Sequence, residues 1–372
     1  MDERVDVANT DDMAIAKLIL QARNSIFDEE LHHELNREAR NLVNQGVRCV
    51  GDAIILPYEA EKQIEIDLVS LGDTDLAVSQ SELSSASREI PQGDDIVLKS
   101  VVISLRILLS HAHHQRLVQR SQPPPPIRGT KPPRPIYPII KPILEILRHR
   151  SDVRAARTFL EDLEKNLSAA TLNFKIENFI TSPDLTSLPS LATSATTSAT
   201  EALANSFTAP LHTSIVIHLP SNLTALKIEL HTSFIPPTIG TVYQATILSY
   251  PPASSLANLP QNMHFSSLSA LEEHILHLLM LDIISLISAN PATGSGWMTI
   301  SPYDGQLVRR NRERTVGQTF TIMVEKERVS LECRTVGGST DHLRTVRWGE
   351  GKEEGYENKG LLKVIEDALE GK

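Results

Sequence analysis

An α+β fold is what this sequence predicts: long amphipathic helices with a small β meander in the front region, and an antiparallel β unit with one buried helix in the back region. Three patterns carry that reading. Apolar residues recur at three- and four-residue steps between Asp11 and Gln45 and again between Val97 and Arg120. Short alternating, β-branched runs fill the chain from Ser214 onward, and one stretch, Leu268 to Ser288, is the most apolar helix, with hydrophobic residues nearly all round from Leu278 to Ile287. A chain of 372 residues has room for two or three such units, and 41% hydrophobic residues supply their cores.

The first helix takes Ile15, Leu18, Ala22, Ile26, Leu31, Leu35 and Leu42 as its apolar side, with Asp11 or Asp12 as N-cap and Gly46 as stop. On the polar side Asp28, Glu29, Glu30 and Glu34 precede Arg37 and Arg40 at helical spacing. Short strands follow at Val47 to Cys49, Ala53 to Pro57 and Gln63 to Val69. The last alternates Ile64, Ile66 and Leu68 against Glu65 and Asp67, so residues 11–71 read as a helix plus a small meander. Residues 72–96, rich in Ser, Asp and Gly, read as a linker.

Residues 97–171 read as a helical region. Val97 to Arg120 buries Val101, Leu105, Leu108, Leu109 and Ala112, then turns to His and Arg. Prolines dominate 122–138 and make a stiff spacer of about 3 Å per residue where extended. Two helices come next, Ile139 to His149 and Asp152 to Leu167, with Asp152 capping the second. The Ser, Thr and Ala run at 188–207 reads as a low-complexity, mobile insertion.

Residues 212–372 read as the antiparallel domain. Strands Ser214 to Leu219, Leu223 to Thr232 and Thr241 to Leu248 precede the buried helix 268–288. Trp297 to Ile300 and Leu307 to Arg310 flank the turn SPYDG. Thr319 to Val324, Val329 to Arg334 and Leu343 to Trp348 extend the meander, and Leu361 to Leu369 closes as a helix.

Composition removes several function classes. Cys49 and Cys333 are far apart and form no CxxC, which argues against a disulfide framework or a zinc cage. The opening MDERVDVANTDD is unlike a secretory leader. The apolar run Ile275 to Ala289 is shorter than the ~20 residues that cross a bilayer, so no membrane association is expected. No phosphate-cradling loop, GxSxG or HExxH is present. His111 with His114, and His274 with His277, have the spacing to share a helix face, but no Asp, Glu or Cys completes a ligand set beside them, so no metal is expected. Charge is uneven: residues 1–98 hold 8 Lys and Arg against 21 Asp and Glu, whereas residues 99–157 hold 12 against 2. The basic block offers Arg116, Arg120, Arg148, Arg150, Arg154 and Arg157 to an acidic partner, while the overall charge of −10 disfavours duplex binding.

Three stretches, in this order, resemble the fungal form of the Mediator complex subunit 17 family: QARNSIFDEELHHELNREARNL (Gln21 to Leu42), LRILLSHAHHQRLVQRSQPPPPI (Leu105 to Ile127) and YPIIKPILEILRH (Tyr137 to His149). The frame of Phe27, Glu30, Leu31, Glu34, Leu35, Arg37, Glu38 and Ala39 resembles the animal members as well. The resemblance covers the front 150 residues closely and the rest in general character. It implies a nuclear, non-enzymatic scaffold of the Mediator head module without cofactor, small-molecule substrate or sequence-specific nucleic-acid binding. The partners it implies are Mediator subunits 6, 8, 11 and 22 and, through the assembled complex, RNA polymerase II. The acidic, helical region that the family carries ahead of this first helix is expected to be missing. Leu18, Ile26, Phe27, Leu31, Leu35 and Leu42 are then expected to seat the helix against a β layer and neighbouring subunits. Two other readings are a cytosolic hydrolase or transferase using the His clusters, and an SH3-binding adaptor using Pro123, Pro126 and Arg128.

Overall fold

The structure is a computed structural model that describes residues 5–59, 61–69, 92–121, 137–183, 199–233, 240–250, 256, 259–290, 297–301, 305–310, 317–336, 342–349 and 359–370. Most of the expected linker, the proline spacer with Pro123, Pro126 and Arg128, the first part of the 188–207 run and the centre of the SPYDG turn lie outside these residues. The fold class is α+β, and the chain divides into two units, Met1–Arg148 with Thr186–Ala209 and His149–Leu185 with Pro210–Lys372.

In the first unit, α1 (Val5–Ala39) leads through a 3-10 turn (Val43–Gln45) to an antiparallel sheet of β1 (Arg48–Val50), β2 (Ala53–Pro57) and β3 (Gln63–Ile66). Then come α2 (Gln92–Ser121), the start of α3 (Ile140–Ala169) and α4 (Ala199–Thr208). The helix α1 has already begun before Asp11 and Asp12, so neither caps it, and it stops at Ala39 rather than Gln45. Gly46 ends the 3-10 turn instead. Its φ of 83° is left-handed, a conformation that a residue without Cβ adopts freely, and its N–H reaches Val43 O.

One core holds this unit together. Leu31, Leu35 and Ala39 of α1 meet Ile54, Leu56 and Ile64 of the sheet, Val101, Leu105, Leu108 and Leu109 of α2, and Ile140, Ile143, Leu144 and Leu147 of α3. Asp28 pairs with Arg106 at 2.8 Å and Glu34 with Arg116 at 3.4 Å, so α1 and α2 run in the same direction. Such partly exposed pairs contribute less than about 1 kcal/mol each; they align helices that the core has already brought together. The Asp95–Ser121 part of α2 is long and apolar enough to cross a membrane by length and composition, which the sequence reading did not foresee. Its Val101, Leu105, Leu108 and Leu109 are nevertheless buried in the core of this unit.

The second unit contains two five-stranded antiparallel meanders. The first is β4 (Lys175–Pro183), β5 (Leu211–His218), β6 (Ala225–Ser233), β7 (Gly240–Ser249) and β8 (Asn262–Phe265). The second is β9 (Trp297–Ser301), β10 (Gln306–Arg310), β11 (Gly317–Val324), β12 (Arg328–Val336) and β13 (His342–Gly349). The helix α5 (Leu268–Ala289) touches β7 and β8 of one sheet and β11 of the other, which explains why it is apolar nearly all round. Phe159, Leu160, Leu163 and Leu167 of α3 and Leu361, Val364 and Ile365 of α6 (Leu361–Glu370) join the same core.

Ser267 opens α5 by accepting the N–H of Ala270 at 3.3 Å. Ser267→Ala is expected to remove about 1 kcal/mol and to lower the melting temperature of this unit by a few degrees in calorimetry. Asp282 is the one charged side chain of α5 with no exposed surface. Its carboxylate accepts from the Ser221 N–H and hydroxyl and from the Thr224 hydroxyl, at 2.7 to 2.9 Å. Burial raises the Asp282 pKa, and these three bonds act against that rise.

Several expectations need correction. The helix α3 runs unbroken from Ile140 to Ala169, so Asp152 does not start a new helix; it accepts from the Tyr243 hydroxyl at 2.8 Å. The strands β4 and β8 were not legible, and Ala199–Thr208, inside the run read as a mobile insertion, is helix α4. Residues 92–96 belong to α2, not to a linker.

Candidate functional site

The helix α1 has two apolar faces, and they point in nearly opposite directions. Within the stripe read from the sequence, Ile26 and Leu31 are five positions apart, a step that carries the side chain about 140° around the axis beyond a full turn. After that step Leu31, Leu35 and Ala39 lie in the core. Before it, Ile15, Leu18, Ile19, Ala22 and Ile26 follow one another at helical spacing on the other side, all exposed, with Leu18 at 65% and Ile26 at 66%. The seven residues read as one stripe are therefore two stripes. Isolated exposed leucines carry no message, but a contiguous row of four branched side chains at helical spacing is the pattern of a face awaiting a partner.

The inward side of the same stretch is different. Lys17, Gln21, Asn24 and Asp28 border an open groove of about 1090 Å³ with Leu20, Leu68, Val69 and Arg106. The Asp28–Arg106 ion pair occupies part of its wall, and the shape is open rather than enclosing. The groove lacks the closed, mostly apolar lining that holds a small molecule.

The titratable groups with shifted pKa values lie elsewhere, two of them in structural hydrogen-bond sets. Glu38 of α1 accepts from the backbone N–H groups of Ile139, Ile140 and Lys141 at 2.6, 3.0 and 3.0 Å. A carboxylate from a distant helix thus caps α3, whose first N–H groups have no partner within the helix. Burial raises the Glu38 pKa and the three N–H bonds oppose that rise. His149, 3% exposed, lies between two hydroxyls, Nδ1 2.8 Å from Thr232 Oγ1 and Nε2 3.0 Å from Thr213 Oγ1. Burial, with His212, His231 and Arg150 nearby, lowers its pKa to about 4. His274 and His277 are also lowered by burial, and the ring of His274 packs against Phe265. Among the described residues no group of three or more His, Cys, Asp and Glu can hold a metal ion.

The expected partner-binding residues separate by environment. Leu31, Leu35 and Leu42 are buried, Phe27 is half-buried against the same core, and Leu18 and Ile26 face water. Arg148 points inward, donating to the carbonyls of Gln45 and Pro57. Arg116 pairs with Glu34; Arg157 pairs with Glu161 and lies over the Phe179 ring at 5.5 Å. Arg120, Arg150 and Arg154 are exposed. Arg116, Arg120 and Arg148 belong to the first unit and Arg150, Arg154 and Arg157 to the second. Sequence reasoning missed Ile19 and the outward direction of the first stripe, although the five-residue step was there to be read.

The family model for subunit 17 of Mediator complex matches residues 3–167. The Mediator of RNA polymerase II transcription subunit 17 of Aspergillus terreus is 32% identical over 324 residues, covering 82% of this chain and 48% of that protein. The same subunit of Emericella nidulans is 32% identical over 341 residues, covering 87% and 49%. That of Yarrowia lipolytica is 27% identical over 162 residues, covering 43% and 29%. The chain spans about half the length of the first two relatives. No solved structure matches it.

Proposed function

The chain belongs to the Mediator subunit 17 family, and on that premise we propose that it is a non-enzymatic scaffold of the Mediator head module. In this reading it is a nuclear transcription coregulator that works by protein contacts. It binds other Mediator subunits, among them subunits 6, 8, 11 and 22, and bridges regulators to RNA polymerase II through the assembled complex.

The observation that carries the proposal is the outward stripe of α1. Ile15, Leu18, Ile19 and Ile26 form an exposed row that the described residues of its own unit leave uncovered, while the second half of the same helix is anchored in the core. A helix fixed at one end and apolar on its far side at the other presents i, i+3, i+4 and i+7 anchors to a partner groove or helix. Phe27, Leu31, Leu35 and Leu42 hold that presentation in place, and Arg120, Arg150 and Arg154, with Arg116 and Arg157, supply basic contacts for acidic partner surfaces.

The test is purification of the tagged full chain from nuclear extract, with Leu18→Asp and Ile19→Asp combined in a second sample. The native chain is expected to retain Mediator subunits and polymerase, and the double variant to retain about tenfold less at an unchanged melting temperature. A native chain recovered without Mediator subunits, or a variant that retains them fully, would refute the proposal.

A further inference from the structure

The hairpin of β5 and β6 brings three titratable side chains together. Alternate residues of both strands are buried, Thr213, Ile215 and Ile217 of β5 and Ile228, Leu230 and Thr232 of β6. His212, Glu229 and His231 therefore stand on the other, more open face. The register sets His212 directly opposite His231, where the Cβ atoms of antiparallel strands lie about 5 Å apart. Their ring centroids are 6.2 Å apart and the ring planes meet at 61°. Glu229, two residues before His231, has Oε1 3.1 Å from His212 Nε2 and 2.7 Å from Lys227 Nζ. The next residues in register are Ser182 of β4 beside His212, and Val242 and Gln244 of β7 beside His231 and Glu229. None of these three carries a charge.

We propose that His212 and His231 chelate one divalent transition-metal ion of the Zn²⁺ kind, and that Glu229 positions His212 for it. A carboxylate that accepts the N–H of one ring nitrogen fixes the tautomer and leaves the other nitrogen with the lone pair a metal needs. Glu229 holds the Nε2 side of His212, so Nδ1 is the ligating atom. With Zn–N bonds of about 2.1 Å, two rings on one tetrahedral ion have centres about 5 Å apart, so the pair has about 1 Å to close. The exposed ring of His231 closes it by turning about its side-chain torsions. Among the described residues no third His, Cys, Asp or Glu completes a ligand set, so water fills the remaining positions and the site is open. Both strands are interior to a five-stranded sheet, which holds the pair in register before the ion arrives and keeps the ordering cost of binding low. The bound ion bridges β5 and β6 and stabilises their pairing by linkage.

Calorimetric titration of the metal-stripped full chain with Zn²⁺, joined to hydrogen exchange of the two strands, tests the site. Protection of residues 211–218 and 225–233 is expected to rise as Zn²⁺ is added to the native chain. His231→Asn, at an exposed position, is expected to keep the metal-free melting temperature, to lose that rise and to bind at least about tenfold more weakly. Glu229→Gln keeps both ligands and is expected to weaken binding by about tenfold or more, with the metal-free protection of the strands unchanged, which a merely structural role would not allow. His114→Ala, in the other unit, is expected to leave the response of the two strands as it is, which separates this site from Zn²⁺ bound by other histidines. Strands whose protection ignores Zn²⁺ in the native chain, or responds equally in His231→Asn, would overturn the site. Native affinity in Glu229→Gln would overturn the part assigned to Glu229.

Discussion

Glu38→Ala is expected to cost the first unit about 3 kcal/mol, because it removes three charge-assisted bonds and leaves the Ile139, Ile140 and Lys141 N–H groups without their acceptor. The loss falls on more than a cap. The same carboxylate ties the end of α1 to the start of α3, and Ile139 and Ile140 belong to the core it closes. Glu38→Gln keeps one carbonyl oxygen and is expected to recover roughly half of the loss, since a neutral acceptor is about half as strong. Urea titration read by exchange of residues 101–109 and 140–147 measures both variants. A Glu38→Ala chain that matches the native midpoint would show that water replaces the carboxylate without penalty, contrary to the geometry.

Acidification is expected to weaken the second unit through His149. With an ordinary pKa of 6.5 and a folded value of about 4, the unfolded chain takes the proton first as pH falls. The stability held by the neutral ring is complete above 6.5 and drains away between 6.5 and about 4, in all about 3 kcal/mol. Asp282 runs the other way: its raised pKa makes the folded state protonate first and adds stability on acidification. The informative quantity is therefore the difference between the native chain and His149→Gln, whose amide is polar but takes no proton in this range. Denaturation midpoints from pH 7 to 4 are expected to fall more steeply for the native chain. Parallel curves would mean that His149 protonates in place and that Thr213 and Thr232 do not hold it neutral.

The sequence was a good guide where burial follows a simple period and a poor one where a residue is committed over a long distance. The second meander and α5 were readable because alternation and all-round apolarity each have one structural answer. Ser151 and Asp152 look like a helix break, because a Ser-Asp pair is favoured at caps, but tertiary packing carries α3 through them and gives Asp152 to Tyr243. The strand β4 has an irregular register between Ile176 and Asn178, which blurs its alternation. A run poor in bulky residues concealed α4, whose Ala204 and Phe207 pack into the core of the first unit. Glu38 stood inside the most family-like stretch, yet its capping role could not be read, because the N–H groups it serves lie some hundred residues further along. Arg148 was grouped with surface arginines although its partners are carbonyls of an earlier turn and strand.

The buried carboxylate of α5 also settles a question of rotational setting. A helix apolar on nearly every side, held between two sheets, gains almost as much from one rotation about its axis as from another, because hydrophobic attraction has no direction. Turning α5 by a single residue would swing Asp282 about 100° from Ser221 and Thr224 and bury a carboxylate among Leu and Ile without a donor. Asp282 thus works as a key in a keyway: one polar tooth indexes the helix, and the two meanders that grip it inherit a fixed alignment from a loop of four residues, 221–224.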